Sequence, residues 1–168
     1  MSVPAPAPTW GICAKQRTSS LSNPTRRSRR KLGQQSAEAQ IAVDVSDAAA
    51  EALPFPDEQF DAVLFTLVLC TVSDPERAIT EARQVLKPAG QLVIIEHVRG
   101  AGRLARWQDK ITPLWRHLVP GCHPNRDTRA TVQEAGFRWT SIEDFHPMPT
   151  WIPVSPMLQG IAVKDLAG

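Results

Sequence analysis

An α/β fold built on a largely parallel sheet is what this sequence predicts, and three observations carry the prediction. "DAVLFTLVL", Asp61 to Leu69, is a near-continuous apolar run, the pattern of a strand buried on both faces of a parallel sheet. "QLVIIEHV" is a second such run, and it finishes in polar residues, Glu96 and His97. Between them, "SDPERAITEARQVLKPAG" reads as a single helix. Strand, helix and strand within about forty residues form a βαβ unit, whose crossover is right-handed. Both strands then end at one edge of the sheet, the edge at which open α/β sheets bind ligands.

Each element follows from local chemistry. Met1 to Pro24 is rich in Pro, Ser and Thr and shows neither a helical nor a strand period. It is expected to be disordered, so the organisation read from sequence is a disordered segment, 1–24, followed by a partial domain, 25–168. Thr25 to Ala39 is expected to form a basic helix, and Ile41 to Val45 a short strand. Pro54 and Pro56 forbid regular structure, and Asp57-Glu58 makes a polar turn. Asp74 suits an N-cap, with Pro75 at the first helical position and Glu76 in the first turn. Ala78, Ile79, Ala82, Val85 and Leu86 recur at helical spacing, and Pro88 with Gly90 ends the helix. "RLARWQDKITPLWRHL" reads as a broken amphipathic helix whose Trp107 and Trp115 serve as core or as a lid. A further helix runs from about Asn125 to Ala135, capped by Gly136. Strands at Trp139 to Phe145 and Leu158 to Lys164 flank the loop "HPMPTWIPVSP".

Charge and cysteine usage narrow the function classes. The formal net charge of +2 hides an asymmetry. Met1 to Ser36 holds seven Lys or Arg and no acid, whereas the remainder sets twelve basic residues against seventeen acidic ones, a net of −5. Cys13, Cys70 and Cys122 are odd in number, far apart and without CxxC spacing. That predicts no disulfide framework, no metal site and a reducing, cytoplasmic compartment. Cys70, among Leu67, Val68, Leu69 and Val72, reads as packing, and Cys122-His123 as loop. No apolar run reaches the roughly 18 residues that span a bilayer.

The strings "EALPFPDEQFDAV", "TLVLCTVSDPERAITEARQVLKPAGQLVIIEHV" and "AGF" resemble class I S-adenosylmethionine-dependent methyltransferases of the type 11 domain. "LVLCTV", "EHVRG", "RWQDKITPLWRHLVPGCHPNRDT" and "WIPVSPMLQGIAVK" bring the resemblance closest to the methyltransferase-like group that includes alkyl-thiol methyltransferases. The resemblance implies a Rossmann-like sheet in the order 3-2-1-4-5-7-6 with S-adenosylmethionine as methyl donor. It implies a donor site formed by Asp47, Ala49, Ala50 and Leu53 beside the adenine, and by Thr66, Leu67 and Val68 beside the methionine portion. Glu96 and His97 stand at the same edge as catalytic candidates.

Two departures bear on activity. The family's glycine-rich turn after strand 1 lets backbone approach the ligand, and an acid ending strand 2 binds the ribose. Before Gly90 this sequence has only Gly11 and Gly33, and its first acid is Glu38. The expected sheet is therefore incomplete: strands 3 to 7 with helices, strands 1 and 2 missing, and strand 4 left with an open edge. Three readings follow. The first is methyl transfer to a small, apolar acceptor such as a thiol. The second is a truncated or frame-shifted methyltransferase fragment without activity. The third is a basic-armed nucleic-acid-binding module, whose "PTRRSRRKLG" would act by counterion release.

Overall fold

The computed structural model describes residues 10–15, 18–22, 42–46, 48–119, 121–149 and 151–165. Seven strands form one sheet: β1 (Trp10–Lys15), β2 (Thr18–Ser22), β3 (Ala42–Ser46), β4 (Phe60–Thr66), β5 (Leu86–His97), β6 (Phe137–Phe145) and β7 (Met157–Lys164). Their spatial order is β3-β2-β1-β4-β5-β7-β6. Among the described residues three helices accompany them, α1 (Pro75–Val85), α2 (Gly102–Leu118) and α3 (Thr128–Glu134).

The βαβ unit forms as its residues dictate. β4 and β5 are parallel, with Ala62 opposite Gln91 and Thr66 opposite Ile95. Asp74 caps α1 by accepting the Arg77 N–H at 2.9 Å, and Pro75 opens the helix. Ala78, Ile79, Ala82 and Val85 face the sheet and are buried against Val63, Phe65, Leu92 and Ile94. Each fully buried Ile or Val side chain stabilises the fold by about 1.5–3 kcal/mol. α3 adds Val132 to the same core. The opposite face of these two strands, Leu64 and Thr66 with Val93 and Ile95, is only half-buried. The expectation of strands buried on both faces therefore holds fully for one face.

β5 begins earlier than its sequence pattern indicated. Leu86 pairs with Phe60, and the ladder then shifts register before Ala62, so "KPAG" forms an irregularity inside the strand. Ala89 sits there at φ 59°. β7 runs antiparallel to both β5 and β6. α2 is one helix through Pro113, without the expected break. The proline is solvent-exposed, so the carbonyl that loses its N–H donor on that face can be hydrated.

The first half of the sheet differs most from expectation. Within 1–24, read as disordered, β1 and β2 form an antiparallel hairpin pairing Gly11 with Ser22 and Lys15 with Thr18. Only Gln16 and Arg17 connect them, and a two-residue link permits only antiparallel strands, since a parallel pair needs a crossover of about a dozen residues. β1 pairs antiparallel with β4, from Trp10 opposite Thr66 to Ala14 opposite Ala62. The edge of β4 is thus paired rather than open. β2 pairs in parallel with β3. The family's helix-linked parallel strands 1 and 2 are absent among the described residues, and this hairpin occupies their places in the order. The basic helix expected at Thr25 to Ala39 lies outside the described residues.

Candidate active-site edge

β3, β4 and β5 all end at the same side of the sheet, and there the chain leaves β4 abruptly. Leu67 adopts φ 54°, a left-handed conformation rarely taken by a γ-branched residue, while its N–H still donates to the Ile95 carbonyl at 2.9 Å. Strain of this kind needs support, and Glu96 supplies it. Its carboxylate accepts the backbone N–H groups of Val68 at 2.6 Å, Leu69 at 2.9 Å and Cys70 at 3.3 Å. Glu96 is fully buried. Burial pushes its carboxyl up to about 7, against the three amide bonds, which favour the charged form. Arg126 braces the same loop by donating from Nη1 to the Leu69 carbonyl.

The segment leading to "LPF" is stitched alongside. Leu53 N–H donates to Glu81 Oε2 at 3.0 Å, and Arg77 pairs with the other Glu81 oxygen at 2.8 Å. Ser73 N–H donates to Glu51 Oε1 at 3.0 Å, tying this segment to the turn after β4. Ala50 and Leu53 are buried in the main core, whereas Ala49 is exposed. Ala49, Ala50, Leu53, Thr66, Leu67 and Val68 thus stand on two segments of one edge. Asp47 lies outside the described residues.

A second constellation adjoins that edge. His97 Nδ1 lies 3.7 Å from Cys70 Sγ and 3.8 Å from Cys122 Sγ. All three ligand atoms fall within 4.8 Å of one another. Both cysteines are free and buried, and His97 is half-buried. Two backbone features bring Cys122 in: Gly121 takes φ 81°, and His123 N–H donates to the Cys70 carbonyl at 2.7 Å. Leu67, Trp115, Val119 and Ile152 pack around the two cysteines. Cys122, accepting a hydrogen bond from Cys70 and aided by His97, is pulled down to about 5. Cys70, donating that bond in a buried position near Glu96, is pushed up.

Gln108 locks the surrounding loops. Fully buried, its Nε2 lies 2.9–3.0 Å from the carbonyls of Val98, Pro124 and Pro153, and its Oε1 accepts the Gly100 N–H at 2.7 Å. Sequence reasoning missed both Gln108 and the Cys–His–Cys group. Nothing in local spacing marks either, since each joins residues from separate elements. Trp115 packs against the cysteine cluster, and Trp107 is 43% exposed with its Nε1 donating to the Trp151 carbonyl at 3.1 Å.

Residues 18–94 match the family described as methyltransferase domain. Known structures share the fold: the cyclase SpnF at a TM-score of 0.65 and 20% identity, covering 87% of this chain and 65% of that one. A S-adenosylmethionine-dependent methyltransferase from Thermotoga maritima, described as a possible histamine N-methyltransferase, aligns at 0.62 and 24% identity, over 86% and 72% of the two chains. Sheet order and sequence match together support a class I S-adenosylmethionine-dependent methyltransferase domain, to which the chain is similar. Among named relatives, the thiol S-methyltransferase TMT1B of Rattus norvegicus is 40% identical over 111 residues, which is 64% of this chain and 45% of the relative. The human thiol S-methyltransferase TMT1A is 33% identical over 110 residues, with the same coverages of 64% and 45%. The chain thus spans about half the length of these relatives.

Proposed function

We propose that this chain transfers a methyl group from S-adenosylmethionine to a small, apolar acceptor, a thiol. The observation that carries the reading is the strained, amide-braced end of β4 beside the "LPF" segment, in a chain whose named relatives are thiol S-methyltransferases. In this reading Ala49, Ala50, Leu53, Thr66, Leu67 and Val68 contact the donor, Ala50 and Leu53 through their backbone because their side chains fill the core.

The chemistry asks little of an acid or base. A thiol gives up its proton to solvent near neutral pH, and its sulfur attacks the methyl carbon in line as the donor's S–CH3 bond breaks, leaving S-adenosylhomocysteine. Orientation and exclusion of water supply most of the acceleration. Glu96 is a positioning residue, since both carboxylate oxygens are occupied by the backbone that shapes the β4 turn. His97 faces the two sulfurs and is not assigned as the base. The free cysteines accord with a reducing compartment, the cytoplasm. Among the described residues no helix is long and apolar enough to cross a membrane.

The test is a methylation assay with isotopically labelled S-adenosylmethionine against a panel of small alkyl and aryl thiols. Label in the S-methyl product, lost on Thr66→Trp with the fold retained, is the expected result. Transfer to hydroxyl or amine acceptors but not thiols would overturn the acceptor class, and no transfer by folded protein would overturn the activity.

A further inference from the structure

We propose that Cys70, His97 and Cys122 form a three-ligand site for a soft divalent cation of the zinc type, with the fourth position open. The donor set is two thiols and one imidazole, the combination that selects zinc over the hard cations. With Zn–S at about 2.3 Å and Zn–N at about 2.0–2.1 Å in a tetrahedron, S···N edges come to about 3.5–3.6 Å. The observed edges are 3.7 and 3.8 Å, so a cation could be taken up with shifts of a few tenths of an ångström.

Simple packing accounts poorly for this arrangement. The three residues come from three separate places: the loop after β4, the last residue of β5, and the loop after α2. Among the described residues, the two sulfurs are the hydrogen-bond contacts of His97 Nδ1, and a sulfur is a weak hydrogen-bond partner for an imidazole. A divalent cation would offset the charge of two thiolates in this apolar surround. The apolar surround of Leu67, Trp115, Val119 and Ile152 limits competing water, and the half-buried side of His97 provides a route in. Sequence spacing predicted no metal site because none of the three ligands shares a short motif with another.

The test needs no methyltransferase activity. The full chain is purified under reducing conditions, stripped with a chelator and titrated with Co2+ as a spectroscopic probe for zinc. The expected result is one equivalent bound, with a thiolate-to-cobalt charge-transfer band and the intense visible bands of a tetrahedral site. Zn2+ should displace the cobalt. Cys13→Ser should keep the band, whereas Cys70→Ser and Cys122→Ser should each lose it. If a variant fails to fold, the wild-type thiol count decides: two fewer thiols should react with a thiol reagent in the metal-loaded chain than in the stripped one. Absence of a charge-transfer band in folded, reduced wild-type protein would overturn the site. So would a band that survives both Cys70→Ser and Cys122→Ser.

Discussion

The two halves of the sheet present opposite kinds of strand end to the same edge. At β4 and β5 the chain arrives, turns under strain and is held there by a buried carboxylate. At β1 the direction is reversed. Trp10, the first residue of the strand, stands opposite Thr66, and Ala14, near its end, stands opposite Ala62 close to the start of β4. The difference shows that strand order alone does not build a donor site. A sheet can reproduce the family's order and still run one strand in reverse, because the length of one connection sets the direction of a strand. The donor binding proposed for this chain therefore rests on the β4–β5 side.

The comparison breaks most severely at Glu96. Glu96→Ala would strand three buried amides at roughly 1–3 kcal/mol each. A loss of about 3 kcal/mol or more is expected in chemical denaturation, together with faster exchange of the Val68, Leu69 and Cys70 amides. Gln108→Leu should follow, at about 2–4 kcal/mol, since it removes the group that ties Gly100, Pro124 and Pro153 together. Denaturation midpoints at constant slope would check it.

Glu96 also sharpens the contrast through pH. Its folded pKa, near 7, lies above the ordinary 4.5, so between those values the folded chain holds a proton that the unfolded chain releases. Its contribution is therefore fully present below about pH 4.5 and is lost as pH rises to about 7, by up to about 3 kcal/mol. Stability measured against pH should fall across that window in the wild type and lie flatter in Glu96→Gln, which carries no titrating group there. The smallest effect belongs to Ala89. At φ 59° and exposed, Ala89→Gly should raise stability by about 0.5–1 kcal/mol, seen as a small rise in melting temperature.

Much of the β4–β5 side was legible in the sequence because its signals are local. Asp74-Pro75 marks a helix start by chemistry within a few residues, and "VLF" and "LVII" mark strands by composition. The hairpin was not legible. β2 is "TSSLS", with one apolar residue in five, and such a segment becomes a strand only because β1 and β3 pair with it on both sides. The break expected in α2 is absent, since Pro113 within it is exposed and leaves its orphaned carbonyl to solvent. Glu96 was visible as a polar residue ending a strand, but its task depends on amides 26 to 28 positions away. The Cys–His–Cys group and Gln108 were hidden for the same reason, being products of tertiary assembly.

The claim that the β4–β5 edge suffices for donor binding is tested most directly by calorimetric titration of the folded chain with S-adenosylhomocysteine. The account predicts one-to-one binding heat that is abolished by Thr66→Trp and left unchanged by Cys13→Ser in β1. No heat at millimolar ligand, from a chain that melts cooperatively, would contradict it.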